Sequence, residues 1–168
     1  MLKAGLCARV STDEQVGPEL SIANQIQRLE RHLKSHFGDE TGKGYMVRKR
    51  YREEGRSGKD IAGRPELQEL LSDVREGAID TVCCAELSRL SRSVRDTANI
   101  LAEFDELGIT FLCLNPAVNT STASGKLVLN VMAALAEYER EQTSDRTKLA
   151  MYDRAQRGLW NWGAALRL

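Results

Sequence analysis

Ile79-Asp80-Thr81-Val82-Cys83-Cys84-Ala85 is a short run rich in apolar and β-branched residues, set between two helical stripes, and its reading decides the class of fold. Before it, Leu67, Leu70, Leu71 and Val74 recur at helical spacing behind Pro65, a residue suited to a first helical turn, and Gly77 stops the pattern. After it, residues 97–107 carry a further helical pattern closed by Gly108, and residues 109–114 form another strand-like run ended by Asn115-Pro116.

The same alternation extends toward the amino end. Residues 1–8 are a short apolar run of strand type that leads into Arg9-Val10-Ser11-Thr12. Residues 20–37 form an amphipathic helical stretch through Ile22, Ile26, Leu29 and Leu33, and residues 45–51 alternate as a second strand. The Gly, Ser and Asp cluster over 55–63 is a loop. Strand and helix thus alternate four times, which predicts an α/β fold with a mainly parallel sheet and helices on both faces. In such sheets reactive groups gather beyond the carboxyl ends of the strands, where Ser11 is expected.

Residues 124–158 read as one long helix, capped by Ser124. Its first half is apolar along two rows, Leu127, Val131 and Leu135 in one and Val128, Met132 and Ala136 in the other, while its second half is mostly charged. Two rows suggest two neighbours, the parent core and another subunit; the alternative is a helix fully buried in its own domain. The expected organisation is a catalytic domain over 1–122, an oligomerisation helix over 123–160 and a tail over 161–168.

With 168 residues the chain suffices for one domain with a real core. No apolar run reaches the roughly 18 to 20 residues of a membrane span and the start lacks a signal-peptide pattern, so a soluble, cytoplasmic protein is expected. Cys7, Cys83, Cys84 and Cys113 lie in strand-like runs, not at the paired spacings of zinc sites, and read as buried thiols. The formal net charge is zero, whereas autonomous nucleic-acid binders usually carry a basic excess. If the chain acts on DNA, another segment or subunit supplies much of the grip.

Arg9 and Ser11 stand two apart at a strand end, so both side chains can leave one face of the sheet. A hydroxyl beside a guanidinium suits attack on a phosphodiester, since serine needs activation by a base or by nearby positive charge. Ser11 and Glu14 equally fit a helix capping box. Arg89 and Arg92, three apart in Leu87-Ser88-Arg89-Leu90-Ser91-Arg92, can share a face of a helical turn and clamp one phosphate, or be solvated. Arg64, in Gly63-Arg64-Pro65, adds a cation from another strand's carboxyl edge. Glu139 and Arg140 mark where the long helix turns polar and face either the site or solvent.

Other chemistries fit less well. His32 and His36 have the spacing of a metal pair but lack a helix glutamate and a third ligand, so no metal is expected. Gly58-Lys59-Asp60 departs from a phosphate loop, with Glu53 where its first glycine would stand and Asp60 in place of Ser or Thr.

Assembled in order, these segments resemble the serine recombinase family, and most of all its large integrase and transposase-like branch. The residues that carry the resemblance are Ala8-Arg9-Val10-Ser11-Thr12-Asp13-Glu14-Gln15, Ser21-Ile22-Ala23-Asn24-Gln25, Glu54-Gly55-Arg56-Ser57-Gly58 with Arg64-Pro65, the arginine block 87–92, and Ser124-Gly125-Lys126 through Glu141. The resemblance implies that Ser11 becomes linked to a 5′ phosphate and frees a 3′ hydroxyl, while Arg9, Arg64, Arg89 and Arg92 activate the scissile phosphate. It implies that Gln25 supports the phosphate or the serine, that Glu139 and Arg140 complete the site, and that Arg140, Arg146 and Lys148 contact DNA. Neither a metal nor another cofactor is required, because the phosphoseryl bond preserves the energy for rejoining. The implied partners are DNA and a second copy of the chain, as dimers that pair into a tetramer, and the implied location is the nucleoid. Ser88 stands where family members commonly carry Asp, and Glu54 where small resolvases often do. The chain ends at Leu168, where family members continue into DNA-binding regions. A metal-independent phosphodiester hydrolase and a non-catalytic oligomerisation domain remain the alternatives.

Overall fold

The computed structural model describes residues 1–10, 21–38, 44–54 and 63–159. Ser11, most of the 55–63 loop and the 161–168 tail lie outside the described residues. The elements are β1 (Leu2–Val10), α1 (Ile22–Phe37), β2 (Tyr45–Glu54), α2 (Pro65–Arg75), β3 (Thr81–Glu86), α3 (Leu87–Leu90), α4 (Val94–Glu106), β4 (Thr110–Asn115), β5 (Val118–Asn119) and α5 (Ala123–Gln156).

The sheet runs β2-β1-β3-β4-β5 and is parallel except for β5, which pairs antiparallel with β4. Successive residues of a strand face opposite sides, so one run serves two cores. Leu6, Ala8, Val10 and Cys83 pack with Ile22, Ile26, Leu29 and Leu33 of α1. Cys7, Val82 and Cys84 face the other way, toward Leu67, Leu70 and Val74 of α2 and Leu101 and Phe104 of α4. Helices therefore cover both faces, as the alternation predicts. Gly5 lies where side chains crowd β1, since a Cβ there would stand 2.8 Å from Ile79 Cδ1, 3.1 Å from Tyr51 Cε2 and 3.2 Å from Leu70 Cδ1 of α2.

All four cysteines are buried free thiols. Burial pushes Cys7 up to about 11 despite the opposing pull of Arg64, and pushes Cys83 up to about 12. Cys7 and Cys83 therefore fill the core as small apolar side chains.

Several boundaries differ from the sequence reading. The second strand pattern continues to Glu54, and α4 begins at Val94, capped by Ser93, whose Oγ accepts the Asp96 N–H at 3.1 Å. Four strands were expected and a fifth, two residues long, follows the turn at Pro116. The cap of α5 is Thr122, not Ser124: Thr122 Oγ1 accepts the Gly125 N–H at 3.1 Å and donates to the Asn119 carbonyl at 2.8 Å. Gly125 is forced by the same crossing, because a Cβ there would overlap the Asn119 carbonyl oxygen at 1.8 Å.

The two apolar rows of α5 face different ways. Val128, Leu129 and Met132 pack on the core beside α4, and Ala136 is buried. Leu127, Val131 and Leu135 are 63%, 58% and 46% exposed, which excludes a helix wholly buried in its own domain. Among the described residues no helix is long and apolar enough to cross a membrane.

The ring of Phe104, 1% exposed, lies 6.3 Å from that of Phe111 and joins α4 to the sheet. Phe104→Ala is expected to lower unfolding stability by about 3–5 kcal/mol through lost contacts and a residual cavity, read from the midpoint of a urea transition at unchanged slope.

Candidate active site at the carboxyl edge of the sheet

Three arginines meet where β1, β2 and β3 end. Arg9, Arg64 and Arg89 are 0%, 1% and 3% exposed, a degree of burial that arginine reaches only when paired. Arg9 is the penultimate residue of β1 and stands opposite Glu53 in the β1–β2 ladder. Gln25, on the second turn of α1, grips its main chain from both sides: Gln25 Oε1 accepts the Arg9 N–H at 3.3 Å and Nε2 donates to the Arg9 carbonyl at 3.0 Å. The segment that leads into Ser11 thus leaves the sheet from a fixed point.

The centre of the cluster is α3, a single helical turn between β3 and α4. So short a helix leaves its carbonyls without intrahelical partners, and its carboxyl end carries partial negative charge. Guanidinium groups take those carbonyls. Arg9 Nη2 donates to the Ser88 carbonyl at 3.2 Å and Arg64 Nη2 to the Arg89 carbonyl at 2.8 Å. Arg64 Nη1 donates to the Leu90 carbonyl, and its Nε pairs with Oε2 of Glu53, which is itself 4% exposed. Arg89 Nη2 pairs with Glu86 Oε2 at 2.8 Å.

The sequence-predicted residues separate into two groups. Arg9, Gln25, Arg64 and Arg89 converge, but Arg89 and Arg92 do not share a helical face. The turn ends at Leu90, Ser91 is extended at φ −153° and ψ 154°, and Arg92 emerges exposed. Arg64, expected as a loop-end cation, is an interior strut. Glu139, Arg140, Arg146 and Lys148 are exposed on the distal half of α5. Arg140 pairs with Glu137, Arg146 with Gln142 and Lys148 with Asp145, so no hydrogen bond or ion pair among the described residues ties them to the arginine turn.

Sequence reasoning missed the two carboxylates, Glu53 and Glu86. Their only signal is position, since each stands at or next to the carboxyl end of a strand, beside a block already marked by arginine. The histidine pair makes no centre: the His32 and His36 rings stack at 4.0 Å, His36 Nδ1 lies 3.1 Å from the His32 carbonyl, and burial with the neighbouring His36 lowers the His32 pKa. Among the described residues no cluster of His, Cys, Asp and Glu could hold a metal ion.

Comparison with known proteins agrees with this arrangement. The family model described as "Resolvase, N terminal domain" matches residues 4–160. The Tn917 transposon resolvase of Enterococcus faecalis is 33% identical over 151 residues, 90% of this chain and 70% of that protein. The DNA-invertase hin of Salmonella typhimurium is 43% identical over 91 residues, 54% of this chain and 46% of the invertase. Among solved structures, the N-terminal catalytic domain of TP901-1 integrase aligns with a TM-score of 0.70 at 37% identity, covering 83% of this chain and 98% of that domain. A resolvase family site-specific recombinase from Streptococcus pneumoniae aligns with a TM-score of 0.71 at 26% identity, covering 93% and 99%.

Removing the guanidinium of Arg64 strands Glu53 in the interior and leaves two carbonyls of α3 unmet. Arg64→Ala is expected to cost about 3–5 kcal/mol of unfolding stability, with Arg64→Lys intermediate because it keeps charge but not the planar fork. Chemical denaturation of the two variants beside the parent chain checks the order.

Proposed function

This chain belongs to the resolvase family of serine recombinases, enzymes that act on DNA, and from that premise we propose that it performs the strand-cutting and rejoining chemistry of site-specific recombination. Ser11 Oγ attacks a backbone phosphorus as its proton leaves, the bond from phosphorus to the 3′ oxygen breaks, and a 5′-phosphoserine and a free 3′ hydroxyl result. Attack of a 3′ hydroxyl on that phosphoserine reverses the step and releases Ser11, so bond energy is retained and no cofactor is consumed.

The observation that carries the reading is the burial of Arg9, Arg64 and Arg89 around one turn at the carboxyl edge, immediately beyond which the chain continues to Ser11. Phosphoryl transfer is accelerated mainly by positioning and by charge held in place before the reaction, and arginines fixed during folding supply both. Arg92, exposed at the mouth, makes the first contact with the phosphate; Arg9 and Arg89 stabilise the transition state; Arg64 and Gln25 hold the frame. Glu139 and Arg140 complete the site, and Arg140, Arg146 and Lys148 grip DNA, once α5 meets other subunits.

The exposed apolar row of α5 supports that assembly. Leu127, Val131, Leu135 and Tyr138 recur three to four residues apart along one side of a helix about 50 Å long, and we assign them to contact with a second copy, as dimers that pair into a tetramer on DNA. With chromosomal or element DNA as substrate, the working location is the nucleoid.

Two experiments test these assignments. Supercoiled DNA bearing the element's borders, incubated with the polypeptide that contains this chain and quenched mid-reaction, is expected to yield a nucleotide on Ser11 by mass spectrometry, with none in Ser11→Ala. Cleavage without an adduct would instead identify a hydrolase, and binding without cleavage an oligomerisation domain. Val131→Glu is expected to shift the species seen in sedimentation velocity from dimer toward monomer while leaving the far-ultraviolet circular dichroism unchanged, because residue 131 is not part of the core.

A further inference from the structure

Glu86 ends β3 and occupies the N-cap position of α3, with φ −141° and ψ 147°. A carboxylate at an N-cap ordinarily accepts the main-chain N–H two or three residues ahead, but Glu86 makes no such bond. Its Oε2 is turned instead to Arg89 Nη2, at 2.8 Å, and accepts the Ser88 hydroxyl at 3.3 Å. The side chain gives up the local capping interaction for a contact with one arginine of the cluster.

The two partners differ in burial. The Arg89 side chain is 4% exposed and that of Glu86 30%, so the carboxylate lies between the buried guanidinium and the mouth of the site. Arginine has several rotatable bonds, and a fork used on a phosphate must be held within a few tens of degrees of its working orientation before the substrate arrives. The main chain of Arg89 is held through its carbonyl by Arg64, while Glu86 holds its side chain by the ion pair at Nη2. The adjoining Ser88 carbonyl receives Arg9 Nη2 at 3.2 Å, so the dipeptide that Glu86 steadies also sets the position of the second buried cation.

We propose that Glu86 is a positioning residue of the active site, whose carboxylate fixes the Arg89 fork toward the scissile phosphate, and that position 88 is an alternative seat for the same charge. The second part follows from geometry. Ser88 Oγ already lies 3.3 Å from the carboxylate oxygen that meets Arg89, so an aspartate at 88 would bring a carboxylate beside the same fork while the residue at 86 keeps its place. This inference rests on the recombinase reading for its catalytic meaning, though the orientation of Arg89 is measurable without any reaction.

The test uses the polypeptide that contains this chain as parent, Glu86→Gln, and the double variant Glu86→Gln with Ser88→Asp, each followed by two readouts. Nitrogen-15 NMR of the Arg89 side chain, assigned with Arg89→Lys, is expected to show a restrained guanidinium in the parent, averaged rotation in Glu86→Gln, and restraint regained in the double variant. Single-turnover formation of the Ser11–DNA adduct at saturating DNA is expected to slow by about tenfold or more in Glu86→Gln, with DNA affinity within about twofold, and to recover in the double variant. Recovery by a charge moved to another residue is not expected of a merely structural effect. Should Glu86→Gln fail to fold, Glu86→Asp takes its place, with a slowed adduct and unchanged affinity expected. An Arg89 signal or adduct rate in Glu86→Gln equal to the parent's overturns the proposal, as does a slow variant that Ser88→Asp leaves slow. If the parent itself forms no adduct, the recombinase reading fails, and the NMR result alone decides whether Glu86 orients Arg89.

Discussion

A single turn of helix with no internal partner for its carbonyls is the constraint on which the carboxyl edge of this sheet depends. Leu87–Leu90 is too short to satisfy its own main chain, and its end is too deep for water to do so. Guanidinium groups from two different elements, Arg9 near the end of β1 and Arg64 at the start of α2, meet the Ser88, Arg89 and Leu90 carbonyls. The backbone's need for donors is thereby met by the same side chains to which the proposed function assigns the fixed cations of the chemistry. On that assignment, removing any one of them would disturb both, so stability and activity would be coupled at this edge.

The sheet sets where that coupling is placed. Parallel strands bring all their carboxyl ends to one side, and β1, the strand that leads to Ser11, is held between β2 and β3. Arg9 and Glu53 are ladder partners, so the pair Glu53–Arg64 lies one strand away from the Arg9 side chain, and β3 delivers α3 from the other flank. Gln25 adds a contact from the opposite core, reaching from α1 to the Arg9 main chain, and thus links both layers of the fold to the approach of Ser11.

Periodicity made most of this architecture legible. Leu67, Leu70, Leu71 and Val74 announce α2, and the apolar runs of β1, β3 and β4 announce strands buried on both faces, because those signals come from many residues acting together. Elements of two to four residues carry no period, which is why β5 was not legible and why the helical turn expected around Arg89 and Arg92 could not be bounded; it stops at Leu90, before Arg92. The arginines were legible as a block but their division of labour was not. Arg64 and Arg92 look alike as residues, yet one is 1% exposed and the other stands at the surface. Glu53 and Glu86 were missed for a related reason, since an acidic residue at a strand end reads as a solvated boundary until the chain folds an arginine onto it.

The burial of these cations bears on how charge is held in place at this edge. Transferring a guanidinium out of water is costly, and the cost is offset only where carboxylates and carbonyls surround it with good geometry. Arg64 meets that condition with Glu53 and two carbonyls, which leaves it rigid and committed to the interior. Arg89, held by the more exposed Glu86, lies one step nearer the mouth, and Arg92 lies outside. Along the block 87–92 the chain therefore runs from one cation, Arg89, that is buried on folding to another, Arg92, that solvent can reach. On the proposed function, a phosphate that enters from the exposed end would meet Arg92 first and the buried arginines last, and charge already desolvated and oriented costs least to use when negative charge develops in a transition state.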